Sequence, residues 1–250
     1  MAEISTRKCD LKTKTYLALK ERLINCDYAP GSVLNEVQLA AELGMSRTPV
    51  REAIGRLEMD GYVKVIPKKG IYVTDISLND VMQIFQTRIE IEPLTLRLAA
   101  PYLAVDELLM FRKRFEEENS DILNSFRLDT AMHLFFIEHC GNKYLIDMMR
   151  KLFDDNTRII IASKQNQTKI HDAKCEHLQI LDSLLAKDDI NHTALLMRTH
   201  IETCKKAALR YFYSLDNMHK APASAQYKEE LSKIAPVSIV SEADSMHLRT

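Results

Sequence analysis

Asp129 and His133 stand four residues apart, and His177 and His200 follow further along the chain. On a helix, residues i and i+4 lie on one face, about 6 Å apart along the axis. Phe136, Ile137 and Cys140 continue that face, so Asp129 and His133 point inward. His177 shares a stripe with Ala173, Ile180, Leu181 and Leu184, and His200 shares one with Leu196, Met197, Cys204 and Ala207. A lone inward histidine is ordinarily a core residue with a local partner. Three of them with a carboxylate, on three separate helices, would each need a buried partner of their own, whereas one cation satisfies all four. Neutral imidazole and carboxylate suit Zn²⁺, Ni²⁺ and other first-row divalent ions. The expected chemistry is therefore a divalent metal, Zn or Ni, held by Asp129, His133, His177 and His200. His139, His171, His192, His219 and His247 do not share the pattern and read as surface or structural residues.

Arg88 sits on an apolar stripe, four residues after Ile84 and three before Ile91. A buried guanidinium needs an anion. Two readings stand: the carboxylate of a bound effector, or an internal pair with Glu92 at i+4. Arg158 on the fourth bundle helix is a weaker pocket candidate and reads rather as a surface charge. A separate basic set lies near the start of the chain. Ser46, Arg47, Thr48 and Arg51 open one helix, with the two arginines one turn apart on one face, and Lys68-Lys69-Gly70 form a hairpin tip. An arginine fork can engage guanine O6 and N7 together, hydroxyls suit phosphates at a helix N-terminus, and a basic tip with a glycine suits close approach to a phosphate backbone. The plainer reading makes these arginines solvated charges balanced by Glu52 and Glu58.

The elements that must carry these residues are mostly α-helical. Leu11, Tyr16, Leu19, Leu23 and Cys26 mark a helix over 11–26, which Ala29-Pro30-Gly31 breaks. A second helix spans Glu36–Leu43 and stops at Gly44. A third opens at Ser46-Arg47-Thr48-Pro49, with Ser46 or Thr48 as N-cap and Pro49 in the first turn, and stops at Gly61. Tyr62–Ile66 and Ile71–Thr74 alternate as two strands. Three helices and a hairpin make a winged helix-turn-helix. Beyond it, Ser77–Ala100, Val105–Asn119, Phe126–Cys140, Tyr144–Ser163, Ile170–Ala186 and Ile190–Tyr213 read as six helices of an antiparallel bundle. The predicted domains are 1–75, 76–215 and a Ser/Ala/Pro-rich tail, 216–250, with a short helix near Tyr227–Ile234.

The stretch from Pro30-Gly31 through Glu36-x-x-Leu39-Ala40, Leu43-Gly44-Met45-Ser46-Arg47-Thr48-Pro49-Val50-Arg51-Glu52-Ala53-Ile54 and Arg56-Leu57-Glu58 to Gly61 resembles the DNA-binding domain of GntR-family transcriptional regulators. The resemblance implies a homodimer on a pseudo-palindromic double-stranded operator. Val37 stands where some relatives carry an arginine that reads a base. Arg88-x-x-x-Glu92-Pro93, Asp129-x-x-x-His133, Glu176-His177 and His200 resemble the FCD effector domain of the FadR class, in a VanR-like form. That resemblance implies a metal on Asp129, His133, His177 and His200, with coordination positions left open for a small organic acid.

Composition agrees with a folded soluble chain. The 250 residues are 46% hydrophobic and 28% charged, with six Gly and seven Pro, too few for an all-β protein rich in turns. The net charge of −1 excludes a nonspecific polycation. Cys9, Cys26, Cys140, Cys175 and Cys204 are scattered and odd in number, which reads as reduced thiols in a cytoplasmic protein. No secretory leader and no membrane-spanning run is expected, so no membrane partner. Two further functions would use the same residues as an acid-responsive regulator. One is a regulator sensing the cation itself, and the other a metal-dependent hydrolase, which leaves the N-terminal module unexplained.

Overall fold

The computed structural model describes the backbone of residues 2–117, 122–162 and 173–219, and the side chains of 11–117, 124–162 and 173–210. Residues 220–250, with the expected tail helix and His247, and residues 163–172, with His171, lie outside the described residues.

Helix α1 runs Ala2–Ile24 and buries Leu19 and Leu23, one turn apart. It starts well before the expected Leu11. Helix α2, Glu36–Glu42, is capped by Asn35, whose side chain accepts from the Val37 backbone N–H at 2.7 Å. Gly44 at φ +61° ends it, in the left-handed conformation that favours glycine. Helix α3, Arg47–Met59, takes Ser46 as its N-cap residue, as expected, although the Ser46 hydroxyl makes no capping bond. Pro49, Val50, Ala53, Ile54 and Leu57 form its buried face and pack on α1.

Strands β2, Val63–Ile66, and β3, Gly70–Val73, form the expected hairpin. Lys69 N–H donates to Ile66 C=O at 3.0 Å across Pro67 and Lys68, and Lys68 lies at φ +64°. A proline followed by a positive φ is a type II turn, and it projects the basic tip. A strand that the sequence reading did not anticipate, β1, Val33–Leu34, pairs antiparallel with β3, giving the order β1-β3-β2. Two residues are too short to show a period. The third strand gives Gly70 a reason of its own. At φ +113°, a Cβ there would stand 2.9 Å from Val33 Cγ1 and 3.0 Å from the Leu34 carbonyl oxygen. Gly70 thus makes room for β1.

The helical part comprises α4, Leu78–Ala99; a 3-10 turn, Ala100–Tyr102; α5, Val105–Glu116; α6, Ile122–Glu138; α7, Lys143–Ala162; α8, Lys174–Ala186; and α9, Ile190–His219. Ser77 and Asp80 form a capping box at the start of α4, which continues through Pro93. Helix α4 packs on α6 and α7, and α5 packs on α8. Phe115, Met132, Phe136, Met149, Phe153 and Ile180 lie in the interior. The described residues up to Phe212 cluster as one compact unit.

Within this unit, α7 joins the helical part to the winged part. Lys20 pairs with Asp154 at 2.7 Å, the Tyr62 hydroxyl donates to Asp154 at 3.3 Å, and Arg158 Nη2 donates to the Thr74 carbonyl at 2.9 Å. Arg158 is 5% exposed and stands over the Tyr62 ring. It is a buried clasp and not the surface charge expected, because its burying surface comes from the winged part, remote in sequence. No described helix is long and apolar enough to cross a membrane.

Candidate functional site

Helices α6, α8 and α9 bring Asp129, His133, His177 and His200 to one point. One ligand atom from each lies within 4.8 Å of all the others. His200 Nε2 is 3.2 Å from His133 Nε2 and 3.2 Å from His177 Nε2. His177 Nε2 is 2.9 Å, and His133 Nε2 3.6 Å, from Asp129 Oδ1. Two nitrogens each about 2.1 Å from a shared ion stand about 3.0–3.4 Å apart, so the donor set fits a divalent first-row metal.

The remaining ring nitrogens strengthen this fit. His133 Nδ1 bonds to Glu92, and His200 Nδ1 bonds to Glu176 at 2.7 Å. In the neutral imidazole, a carboxylate that accepts at Nδ1 fixes the proton there and leaves the Nε2 lone pair facing its neighbour. Lone pairs converging at 3.2 Å repel unless a cation or proton lies between them. The electrostatics show the same competition. Burial opposes charge on His133, but the Glu92 and Asp129 carboxylates outweigh it and pull its pKa up to about 9. Burial pushes His200 down to about 4, helped by His177 and His133 and opposed by Glu176. Burial opposes ionisation of Glu92, yet Arg88 and His133 hold it down at about 2. Glu92 and Glu176 were not singled out as site residues from the sequence. In the sequence Glu92 reads as a partner of Arg88 and as part of the FCD-like motif, and its approach to His133 is set by how α4 packs on α6.

Arg88 is 3% exposed. Its Nε donates to Glu92 Oε1 at 2.5 Å, and its Nη1 faces Asn156 Oδ1 at 3.5 Å. The internal pair is thus present, and Glu92 carries a chain of contact from Arg88 to the imidazole of His133. His139 bonds to the Phe135 carbonyl at 2.8 Å and His192 is exposed, so neither joins the cluster.

The second set lies on the winged part. Ser46, Arg47, Thr48 and Arg51 are exposed at the start of α3, and Lys68 and Lys69 are exposed on the hairpin tip. The partners of the two arginines differ from those expected. Arg47 Nε and Arg51 Nη2 both reach Glu36 Oε1 on α2, at 3.3 and 3.0 Å. Glu52 instead pairs with Lys12, and Glu58 accepts from the Val65 backbone N–H. With side chains 62% and 68% exposed, the arginine pairs are worth about 0–1 kcal/mol. Such exposed pairs are exchanged for another partner at little cost. Arg47→Ala and Arg51→Ala should therefore each weaken specific operator binding by roughly 1–3 kcal/mol, while Lys69→Ala weakens all sequences alike and flattens the salt dependence. Fluorescence anisotropy on matched specific and random duplexes, at several salt concentrations, separates the two patterns.

A helix-turn-helix with a basic wing, clasped to a helical domain that holds an internal polar cluster, is the architecture of a DNA-binding transcriptional regulator. Residues 11–73 match the family of bacterial regulatory proteins, gntR family, and residues 83–203 match the FCD domain. The chain is 30% identical over 194 residues to the HTH-type transcriptional regulator YdhC of Bacillus subtilis (strain 168), covering 72% of this chain and 85% of that protein. It is 27% identical over 183 residues to the Nta operon transcriptional regulator of Aminobacter aminovorans, again 72% and 85%. Among solved structures, E. coli McbR/YncC shares the fold, with a TM-score of 0.67 at 22% identity over 81% of this chain and 98% of that one. The chain belongs to the GntR family, and its helical half carries an FCD domain. These families and relatives are regulators and not enzymes, so the hydrolase alternative falls.

Proposed function

We propose that this regulator binds a pseudo-palindromic operator as a homodimer, and that a small organic acid at a metal site in the VanR-like helical domain sets its operator affinity. On this reading, residues 1–75 bind DNA and 76–215 bind metal and effector. Ser46, Arg47, Thr48, Arg51, Lys68, Lys69 and Gly70 form the DNA face. Asp129, His133, His177 and His200 would hold the ion, Zn or Ni, and the ion supplies Lewis-acid positions for a carboxylate. The observation that carries the reading is the convergence of four ligand atoms with two of the imidazoles already oriented by Glu92 and Glu176. Arg88 supplies the positive wall. A dimer follows from specificity, because one short recognition helix reads too few bases alone.

Helix α7 supplies the coupling. It turns Phe153 and Asn156 toward Arg88, and Asp154 and Arg158 toward the winged part. A ligand that moves Arg88 thus biases the placement of the DNA-binding half, by linkage. Arg158→Ala should bring the ratio of operator affinities with and without effector several-fold closer to one, since such couplings span about 5–150-fold. The test of the whole reading uses an operator selected from random DNA. Its affinity is measured with metal-loaded and metal-stripped protein, against a panel of small carboxylic acids. An acid effect that needs the metal supports the reading. A metal effect that no acid alters replaces it with direct sensing of the cation.

A further inference from the structure

Asn156 on α7 is 1% exposed, and only half of its carboxamide is used. Its Oδ1 faces Arg88 Nη1. A guanidinium only donates, so the oxygen must lie on that side and the NH₂ group on the other. Nδ2 then finds no acceptor among the described residues. A buried amide donor is ordinarily paired, and one left open beside a buried guanidinium calls for an acceptor oxygen. The surroundings agree. Arg88 lies within electrostatic reach of Asp129, and the Cys204 thiol stands 3.8 Å from His200 Nε2. Arg88 thus adjoins the proposed metal centre through Glu92 and Cys204 adjoins it through His200, while Asn156 on α7 reaches it through Arg88. Asn156 is also two residues from Asp154 and from Arg158, which hold the winged part.

We propose that Asn156 reads the effector, its Nδ2 donating to a carboxylate oxygen of a small organic acid whose charge is met by Arg88. The inference rests on the acid-responsive reading above and adds the residue that sets specificity. It also places the ligand directly on the helix that clasps the DNA-binding half, so binding is felt there without an intermediary. An acceptor at this position repels the acid, whereas the native donor holds it.

The test uses the full metal-loaded chain with acetate, lactate and citrate as probes, followed by calorimetry. Asn156→Asp replaces the donor with an isosteric acceptor and should weaken the bound acid at least tenfold. Thermal unfolding checks that the variant folds. A second measurement needs no variant: the side-chain amide protons of Asn156, followed by NMR in asparagine-labelled wild-type protein, should shift on adding the acid. Acid binding unchanged in Asn156→Asp, with unmoved amide signals, overturns the inference and leaves the metal-anchored reading standing. Acid binding that needs Asn156 but survives His177→Ala keeps the inference and removes the metal from the reading. If none of the three acids binds the wild-type protein, both fall.

Discussion

Replacing Glu92 by alanine should lower the stability of the folded chain by about 3–5 kcal/mol, because it leaves the Arg88 guanidinium buried without its carboxylate. The same change removes the acceptor on His133 Nδ1, so metal affinity should fall about 10–100-fold. The two effects can be separated. In the double variant Arg88→Met with Glu92→Leu, the ion pair is exchanged for apolar side chains of similar length. Such exchanges are often neutral or stabilising. The double variant should therefore regain much of the stability yet keep the metal defect, since His133 still lacks its orienting partner. Chemical denaturation reads the first effect and competitive metal titration the second. A double variant with wild-type metal affinity would show that Glu92 serves only Arg88.

Stripping the metal should lower the melting temperature by roughly 5–16 °C. An ion present at 100–1,000 times its dissociation constant stabilises the fold by about 2.7–4.1 kcal/mol, and each kcal/mol is worth about 2–4 °C in a chain of this length. Because the ligands come from three helices, the unfolded chain cannot present them together. His177→Ala should melt at the lower temperature without chelator and show no further fall when chelator is added. His192→Ala, at an exposed position, should behave as wild type. Differential scanning fluorimetry on the three proteins, each with and without chelator, checks all of this.

The sequence carries the DNA-binding half almost in full because its punctuation is local. Gly44, Pro49 and Gly61 mark where α2 stops and α3 runs, and the alternation after Gly61 marks the hairpin. The four metal-ligand candidates are legible for a related reason. Each sits on an apolar stripe of period 3.6, and the stripes of packed helices face one another. What remained hidden depends on approach between distant elements. Strand β1 exists because β3 offers an edge, and Val33–Leu34 carry no period of their own. Glu92 meets His133 across 41 positions, and Asn156 meets Arg88 across 68. Arg158 looks like any helical surface charge until the winged part covers it. Arg47 and Arg51 find Glu36 on α2 rather than an acidic residue on their own helix, since the turn between α2 and α3 brings the two N-termini together.

The most direct test is elemental analysis of the chain purified without chelator, beside His177→Ala prepared in the same way. The expected result is one first-row divalent ion per wild-type chain, lost in the variant, and a rise in melting temperature when Zn²⁺ or Ni²⁺ is returned to stripped wild-type protein. A wild-type chain with no stoichiometric ion, and a melting curve unmoved by either cation, would make Asp129, His133, His177 and His200 ordinary core residues and contradict the account at its centre.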